Sequence, residues 1–507
     1  MNTTQLAVVL AIMTLMSKLL GFTRELFLAN YFGATAITDA YTMSLSIPSN
    51  LLSGIMGAAG TAFLPVYSRK MEDEGRDQAD LFTSQIMNML LAITAVITVI
   101  GWIFAVPLVK VFAPGFTPET VALTAYYMRV AFIFVFFTAI SQILEAYLNY
   151  RGIFIPEYFF NYAQNVVIIG FIITSAKLNM PKMLIYGITI GWFIIAAGKF
   201  FLAKKTGYKY KASLSFSEPI KEIVELAVPV FIGNSAIEIN SLIDRVLASN
   251  LVEGSVSALN YGSLFSAMFT GLTVSVFVAI IYPRLTQAFS KNDLEKIGDI
   301  SERGINLVAL IMVPCTMGAI VYANPAIQVV YERGAFNGAA TELTAAAFLF
   351  YSIGMTFTAT RTLLDKVFYS VCDTKTPVMC SVIGVVVNIV LNLILVRFMA
   401  HAGLALATSI SQVVSALLEY ALFRKKHPEI TLLKSKRKLV KIFIFSAISV
   451  AVSYAFYHFV GGMVFMPRTV LLGLAVIVAV AVYFVFLVVN KFDELSLIKD
   501  IFGRNQD

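Results

Sequence analysis

Long apolar stretches dominate the chain, and short polar segments separate them. Most of the stretches run for about 20 residues or more, the length that a helix needs to cross the hydrocarbon core of a membrane. We predict fourteen membrane-spanning helices, near 5–31, 37–66, 82–112, 121–149, 157–176, 183–203, 222–249, 255–288, 303–323, 340–370, 377–398, 402–423, 439–459 and 468–490. The sequence lacks the alternation typical of membrane strands, so the predicted fold class is an all-α integral membrane protein.

The composition supports this prediction. Hydrophobic residues make up 58% of the 507 residues, and charged residues make up 13%, about half the share in a soluble domain. A water-soluble enzyme, a disordered chain and a fibrous protein are therefore excluded. The N-terminal stretch lacks a basic segment and a small-residue cleavage site, so we expect a retained first helix. Cys315, Cys372 and Cys380 have no redox or metal-site spacing, and we interpret them as structural.

Basic residues concentrate in alternate loops. The loops after even-numbered spans carry most of them, as at 204–211 and 424–438. By the positive-inside rule both termini are cytoplasmic, in agreement with an even number of spans. The net charge of +8 is thus explained by topology, and no nucleic-acid partner is expected. The loops are short and no phosphate-loop motif occurs, so no ATP hydrolysis and no enzyme activity are expected.

The two halves of the sequence resemble each other. Matching positions lie at offsets of 218, 220, 221 and 223 residues: Pro65 with Pro283, Phe116 with Phe336, Pro156 with Pro377, and Asn165 with Asn388. Six spans per half give the halves the same orientation, as in parallel-repeat transporters. We predict an N-terminal lobe at 1–212, a C-terminal lobe at 213–426, and two additional helices with a tail at 427–507. The alternative is a duplication kept only for packing.

A few charges lie inside the predicted spans, where each costs at least about 2.5 kcal/mol. Lys18, Arg24, Glu25 and Asp39 occupy the first two spans. The functional interpretation is a cationic cavity wall that binds phosphate. The structural interpretation pairs Arg24 with Glu25 or Asp39 and lets Lys18 reach the membrane surface. Further charges occupy spans seven and ten: Glu238, Asp244, Arg245, Arg361, Asp365 and Lys366.

Hard oxygen ligands recur in the C-terminal half. Asp244 lies in span seven, Asn388 and Asn392 lie one turn apart in span eleven, and Thr408 lies in span twelve. Such groups suit a small cation such as Na⁺, although amides and hydroxyls also hold membrane helices together.

Another polar cluster surrounds spans four and five and includes Glu145, Asn149, Glu157 and Asn161. We interpret this cluster as structural, because charge near a membrane surface is inexpensive.

The segment SKLLGFTRELFLANYFGATAITDAYTMSLSIPSNL at 17–51 resembles the signature of the MurJ (MviN) family. That family belongs to the multidrug/oligosaccharidyl-lipid/polysaccharide exporter superfamily. The segments VKVFAPGF, YERGAF and FYSVCDTKTPV also resemble its motifs, and the similarity covers essentially the whole chain. The resemblance implies fourteen helices, with the last two forming a lipid-facing groove. It also implies that the protein flips lipid II, an undecaprenyl-pyrophosphate-linked cell-wall precursor, across the bacterial cytoplasmic membrane by alternating access.

The resemblance carries over to only part of the family's cationic cavity. Arg24 and Asp39 match, Lys18 stands where an arginine is usual, and Glu25 replaces an aspartate. Two further family arginines would fall at Ser53 and Leu264. Arg245 and Arg361 are therefore alternative pyrophosphate-binding cations.

The family's Na⁺ site carries over more completely. The resemblance implies Asp244, Asn388, Asn392, the backbone carbonyl of Leu404, and Thr408 as ligands, with Asn392 where the family can have aspartate. No cofactor is expected apart from Na⁺ as a coupling ion.

The predicted function is a lipid II flippase driven by the membrane potential, Na⁺ or both. Expected partners are the lipid-linked glycan, membrane lipid, and cell-wall polymerase or division proteins. The alternatives are a flippase for another undecaprenyl-linked oligosaccharide and a cation-coupled drug exporter of the same superfamily. A membrane glycosyltransferase is disfavoured by the short loops.

Overall fold

The computed structural model describes residues 3–213, 238, 240–434, 436–463, 466–490 and 492. These residues form helices and loops, with no strand among them. The predicted all-α class is thereby confirmed.

The part of the chain that the structure describes contains fifteen α-helices. They are α1 (Thr3–Phe32), α2 (Ala36–Asp73), α3 (Arg76–Ile103), α4 (Ala105–Phe112), α5 (Pro118–Tyr150), α6 (Ile155–Lys177), α7 (Leu184–Lys205), α8 (240–249), α9 (Ser255–Ser290), α10 (Leu294–Val321), α11 (Ala323–Tyr331), α12 (Gly338–Ser370), α13 (Lys375–Lys426), α14 (Lys436–Met463) and α15 (Arg468–Val489).

Two predicted spans each contain a helix break toward their C-terminal end. The helix expected at 82–112 breaks at Phe104 into α3 and α4, where the backbone leaves the helical region (φ −93°, ψ 18°). Likewise, the helix expected at 303–323 is α10, which begins earlier, and a break at Tyr322 leads into α11 (φ −102°, ψ 20°). The helices expected at 377–398 and 402–423 are the two segments of α13, which are separated by a kink at Ala400, where the backbone is not helical (φ 49°, ψ −133°).

The helices repeat the pattern found in the sequence. α5 and α12 are each 33 residues long, and α3 and α10 are each 28 residues long. The breaks at Phe104 and Tyr322 fall at corresponding positions of the repeat, as do Pro65 inside α2 and Pro283 inside α9. The duplication therefore extends from sequence landmarks to helix lengths and helix breaks.

Within the described part of the chain, nine helices are long and apolar enough to cross a membrane. A tenth is obtained if the two segments of α2, Ala36–Asn50 and Gly54–Asp73, which are bent by 42°, count as one span. The kink at Ala400 further separates α13 into two segments, each long enough to span about 30 Å. The protein is a multi-pass membrane protein, and the number fourteen stays a prediction.

Helix α14 shows the inverted pattern expected of a helix in lipid. Its serines Ser446, Ser449 and Ser453 are buried, whereas Phe443 and Phe459 are 59% and 69% exposed. The Ser453 hydroxyl donates to the Ala475 carbonyl of α15 at 2.6 Å. In hydrocarbon an apolar side chain gains little by burial, so polar contacts and close packing hold such helices together.

The chain forms two compact units. Unit 1 comprises residues 1–260 and 333–337, and unit 2 comprises residues 261–332 and 338–507. In unit 1, α5 packs against α2, α3 and α7; in unit 2, α12 packs against α10 and α13. These units are defined by contacts and the predicted lobes by the sequence repeat, so the lobe boundaries stay a prediction.

The CDTKTPV segment at 372–378 forms the start of α13, and its aspartate caps this helix. The Asp373 carboxylate accepts hydrogen bonds from the Thr376 backbone N–H (3.0 Å), the Thr376 hydroxyl (2.6 Å) and the Lys426 ammonium (2.9 Å). Burial raises the pKa of Asp373, but these hydrogen bonds outweigh it and lower the pKa to about 2. An aspartate at this place satisfies a helix N-terminus and fixes both ends of α13 to each other.

Candidate functional site

Arg24 of α1 is paired with its neighbour along the chain. Its Nη2 and Nε atoms donate to Glu25 Oε1 at 2.6 and 3.1 Å. The Arg24 side chain keeps 27% of its surface exposed, whereas that of Glu25 keeps 10%. The pairing of Arg24 with Glu25 is thus present, and about a quarter of the Arg24 side chain stays exposed.

Asp39 does not pair with Arg24; it caps another helix. Its Oδ2 atom accepts from the Gly254 N–H at 2.8 Å, and its Oδ1 atom accepts from the Ser257 N–H at 2.7 Å and the Ser257 hydroxyl at 2.6 Å. Asp39 is 3% exposed. A carboxylate here satisfies the free N–H groups at the start of α9 and complements the helix dipole. Sequence spacing could not reveal this role, since the partners lie 215 and 218 residues away.

A matching bond runs in the other direction. Glu253, in the loop before α9, accepts from the Ala36 N–H at the start of α2 at 2.8 Å. The two helices are therefore capped reciprocally, each by an acidic side chain belonging to the other's segment. We call this arrangement the capped junction; it comprises residues 30–39, 113–117, 249–257 and 333–337.

Glycines allow the backbones to approach closely within the capped junction. A Cβ atom on Gly115 would lie 2.3 Å from the Ser249 carbonyl oxygen, and one on Gly334 would lie 2.3 Å from the Asn30 carbonyl oxygen. The Ala335 N–H donates to the Asn30 carbonyl at 2.8 Å. The junction thus combines side-chain caps with backbone-to-backbone contacts, and it involves segments from both halves of the sequence repeat.

Lys18 lines a polar chamber in unit 1. The chamber has a volume of about 400 Å³. Its wall consists of residues from α1, α5, α6 and the loop between α5 and α6: Leu10, Thr14, Ser17, Lys18, Glu145, Asn149, Phe154, Glu157, Tyr158 and Asn161. The hydroxyls of Thr14 and Tyr158 lie 2.9 Å apart. The cluster that we interpreted as structural therefore shares a cavity with Lys18.

Lys199 is a functional candidate that sequence reasoning missed. Its ammonium lies 2.8 Å from Glu145 Oε2 and 3.4 Å from Glu157 Oε1, and its side chain is 3% exposed. The side chains of Glu145 and Glu157 are 32% and 27% exposed, so the ammonium binds them on their buried side. A lysine buried to this extent in a membrane helix requires such partners.

Arg361 of α12 is also committed to protein partners. Its Nε donates to Glu419 Oε1 at 2.9 Å, its Nη1 donates to Gln412 Oε1 at 3.1 Å, and its Nη2 donates to the Ser381 hydroxyl. Glu419 is 0% exposed and was absent from the predicted site. These three hydrogen bonds attach Arg361 to α13.

One signal could have identified both missed residues. Lys199 and Glu419 lie 220 positions apart in the sequence, within the range of offsets that defines the repeat. At corresponding positions the two halves thus carry buried ions of opposite sign, each with a partner of the opposite charge. A search for charges at matched repeat positions would have found them.

Four of the five predicted Na⁺ ligands come together in unit 2. The Asn392 amide donates to Asn388 Oδ1 at 2.7 Å, and the Asn388 amide donates to Thr408 Oγ1 at 3.2 Å. The Thr408 hydroxyl donates to the Leu404 carbonyl at 3.1 Å. Asn388, Asn392 and Leu404 are completely buried. A 180° rotation of the two side-chain amides would direct four oxygens from these groups toward a small cation.

The other predicted positions are distributed over both units. Asp244 and Arg245 are half-buried on α8 in unit 1. Leu264, where the family would place an arginine, is 36% exposed on the part of α9 that belongs to unit 2. The side chain of Ser53 lies outside the described residues.

Comparison with known proteins identifies the family. The family model described as lipid II flippase MurJ matches residues 28–488. A probable lipid II flippase MurJ of Rickettsia prowazekii (strain Madrid E) is 25% identical over 492 residues, 94% of this chain and 96% of the relative.

Two solved structures are similar in fold. A lipid II flippase MurJ in an inward closed conformation has a TM-score of 0.83 at 23% identity, over 96% of this chain and 100% of that chain. An inward-facing multidrug resistance MATE family transporter of the MOP superfamily has a TM-score of 0.67 at 13% identity, over 83% and 96% of the two chains. Because the family model spans most of the sequence, the resemblance is confirmed: the chain belongs to the lipid II flippase MurJ family.

Proposed function

We propose that the protein flips lipid II from the cytoplasmic to the outer leaflet of the bacterial cytoplasmic membrane. The observation that carries the proposal is the family match over residues 28–488. The protein is accordingly a transporter rather than an enzyme, and its substrate is a lipid-linked glycan. The basic loops support an orientation with both termini in the cytoplasm.

The geometry of unit 1 suggests how the two sides of the membrane alternate. Lys18 and Arg24 lie on α1, about 9 Å apart along the helix axis, and would bind the pyrophosphate of the substrate. The capped junction lies in loops that the predicted topology places on the outer side of the membrane. With the caps formed, the outer side is closed and the headgroup is received from the cytoplasm. Breaking the caps releases the headgroup outward.

Arg24 provides a test of pyrophosphate binding. Arg24→Gln removes a guanidinium that can bind phosphate through two hydrogen bonds, and we expect flipping to slow at least about tenfold. Glu25→Gln is the discriminating control, because it weakens the same ion pair without removing the cation. The rate of lipid II flipping in proteoliposomes should fall in Arg24→Gln and stay near wild type in Glu25→Gln and in the exposed-site control Arg69→Gln. Equal losses in both pair variants would show a purely structural role.

We also propose that Na⁺ acts as the coupling ion. It would bind to Asn388, Asn392, Leu404 and Thr408, which lie together in unit 2. The proposal is supported by the mutual hydrogen bonds of the four groups in unit 2, which bring their oxygens within one small buried site. Oxygen donors of this kind suit a hard monovalent cation.

Asn392→Asp should strengthen Na⁺ binding by about tenfold, because a carboxylate adds charge to neutral oxygen ligands. Without Na⁺ the variant should unfold at a lower temperature than the wild type, because the introduced carboxylate would be a buried charge. Thermal unfolding in Na⁺ and in choline measures both effects, since a ligand stabilises the state that binds it. Asn490→Asp, at the exposed end of α15, is the control. Equal stabilisation by Na⁺ and choline in Asn392→Asp would contradict the site.

A second candidate is a flippase for another undecaprenyl-linked oligosaccharide. It is favoured by the apolar, 36% exposed side chain of Leu264 where the family would place a phosphate-binding arginine. Complementation of a flippase-deficient strain separates the two candidates, since only a lipid II flippase restores growth. Cell-wall polymerases or division proteins are the predicted protein partners of the lipid II flippase.

A further inference from the structure

The residues around the Lys18 chamber carry equal numbers of positive and negative charges. Lys18, Glu145 and Glu157 are the charged residues of its wall. Behind these carboxylates lies the ammonium of Lys199. The four formal charges cancel, so the chamber favours neither a free anion nor a free cation.

The uncharged part of the wall is rich in hydrogen-bonding groups. Asn149 and Asn161 contribute amides, Thr14 and Ser17 contribute hydroxyls, and Tyr158 contributes a phenol. The aromatic rings of Tyr158 and Phe154 provide apolar surface beside these groups. A ligand for such a wall must offer many donors and acceptors, together with apolar C–H faces. Polyhydroxylated sugar rings have this chemistry, and the volume of about 400 Å³ is in the range of small-molecule sites.

The carboxylates are placed by Lys199. Each gives one oxygen to the buried ammonium and keeps about one-third of its side-chain surface exposed. Carboxylates fixed in this way are strong acceptors for sugar hydroxyls, because hydrogen bonds to charged groups exceed neutral ones in strength. Without Lys199 two like charges would face each other in a membrane helix bundle, and they would separate or take up protons.

We propose that this chamber binds the sugar of the lipid-linked substrate, with Lys199 as the positioning residue for Glu145 and Glu157. The inference rests on the proposed function and adds a location for the glycan to it. Lys18 lies at the wall of the same chamber and on the same helix as Arg24. A pyrophosphate held by these two cations would therefore present the sugar attached to it to the carboxylates and amides.

The test measures saccharide binding and anion binding separately, on the full-length protein in lipid nanodiscs. Diacetylchitobiose is the probe for the sugar, detected by saturation-transfer NMR, and inorganic pyrophosphate is the probe for the anion, detected by ³¹P line broadening. The variants are Lys199→Met, Lys199→Arg, Glu157→Gln and Asn161→Ala. Lys205→Met, an exposed lysine at the end of the same helix, is the matched control.

Saccharide affinity should fall at least about tenfold in Lys199→Met, Glu157→Gln and Asn161→Ala. It should recover substantially in Lys199→Arg, and pyrophosphate affinity should be unchanged in all of them. Asn161→Ala leaves the ion cluster intact, so it keeps the test valid if Lys199→Met is unstable. Wild-type saccharide affinity in Asn161→Ala and Glu157→Gln would overturn the inference.

Flipping of lipid II by the wild type, measured in parallel, distinguishes failure of the chamber assignment from failure of the proposed function. Flipping without saccharide binding overturns the chamber assignment alone. Saccharide binding without flipping of lipid II supports the chamber and overturns the proposed function.

Discussion

Asp39→Ala is expected to abolish transport while leaving the protein in the membrane. The substitution removes three hydrogen bonds and strands the Gly254 and Ser257 N–H groups. Each buried donor without a partner costs about 1–3 kcal/mol. In the proposed cycle the cap is formed only when the junction is closed, so this cost falls on the closed state alone. A loss of this size shifts a two-state equilibrium by roughly tenfold or more, so the carrier accumulates with the junction open.

Two measurements check this expectation. Growth of a flippase-depleted strain reports transport, and labelling of Ser249→Cys by a membrane-impermeant maleimide reports opening of the junction. Ser249 is 4% exposed in the closed junction, and Cys315, Cys372 and Cys380 are replaced beforehand. Asp39→Ala should raise the labelling, whereas Asp77→Asn, at an exposed aspartate of α3, should have no effect. Growth and labelling at wild-type levels in Asp39→Ala would contradict the role of the cap.

Arg361→Ala is expected to have the largest effect on stability. It leaves the fully buried carboxylate of Glu419 without its cation, and loss of one partner of a buried ion pair typically costs about 3–5 kcal/mol. Protonation of Glu419 limits this cost, because it would remove the unpaired buried charge. Glu419→Gln should be milder, because a neutral amide oxygen can still accept from Arg361. The double variant Arg361→Met/Glu419→Leu should recover much of the loss, since no buried charge remains.

Thermal unfolding in nanodiscs at one fixed heating rate ranks these variants. Arg424→Ala removes an arginine from the exposed end of α13 and serves as the control. The expected order of melting temperature places the control near wild type, then the double variant, and Arg361→Ala lowest. A double variant less stable than Arg361→Ala would show that the pair itself supplies stability that hydrophobic packing cannot replace.

Much of the fold follows from hydropathy, because the length of an apolar stretch determines whether a helix crosses lipid. The breaks at Phe104 and Tyr322 do not follow from it, since apolar residues continue on both sides. Pro107 and Pro325 each lie three residues after a break, and a proline cannot donate to the carbonyl four residues before it. That carbonyl belongs to the last residue of α3 or of α10. Pro283 inside α9 and Pro314 inside α10 leave those helices continuous, so a proline alone does not predict a break.

The candidate site was predictable to a smaller degree. Arg24 and Asp39 were identified as charges out of place, but the partners of Asp39 lie too far along the chain for spacing to indicate them. Lys199 and Glu419 escaped notice because a single charge scarcely lowers the hydropathy of a long apolar helix. The predicted Na⁺ ligands Asn388 and Asn392 were easier to propose from the sequence, because two amides one helical turn apart share a helix face; Leu404 followed only from the family resemblance.

The most direct test of the account is a flipping assay with the purified protein. Lipid II carrying a fluorescent headgroup is incorporated in both leaflets of proteoliposomes, and the fraction accessible to an external quencher is followed over time. With a membrane potential and Na⁺, the wild type should expose nearly all of the lipid II, and Asp39→Ala and Arg24→Gln should leave the inner pool protected. Protection of the inner pool in wild-type proteoliposomes, equal to that in protein-free vesicles, would contradict the proposed function.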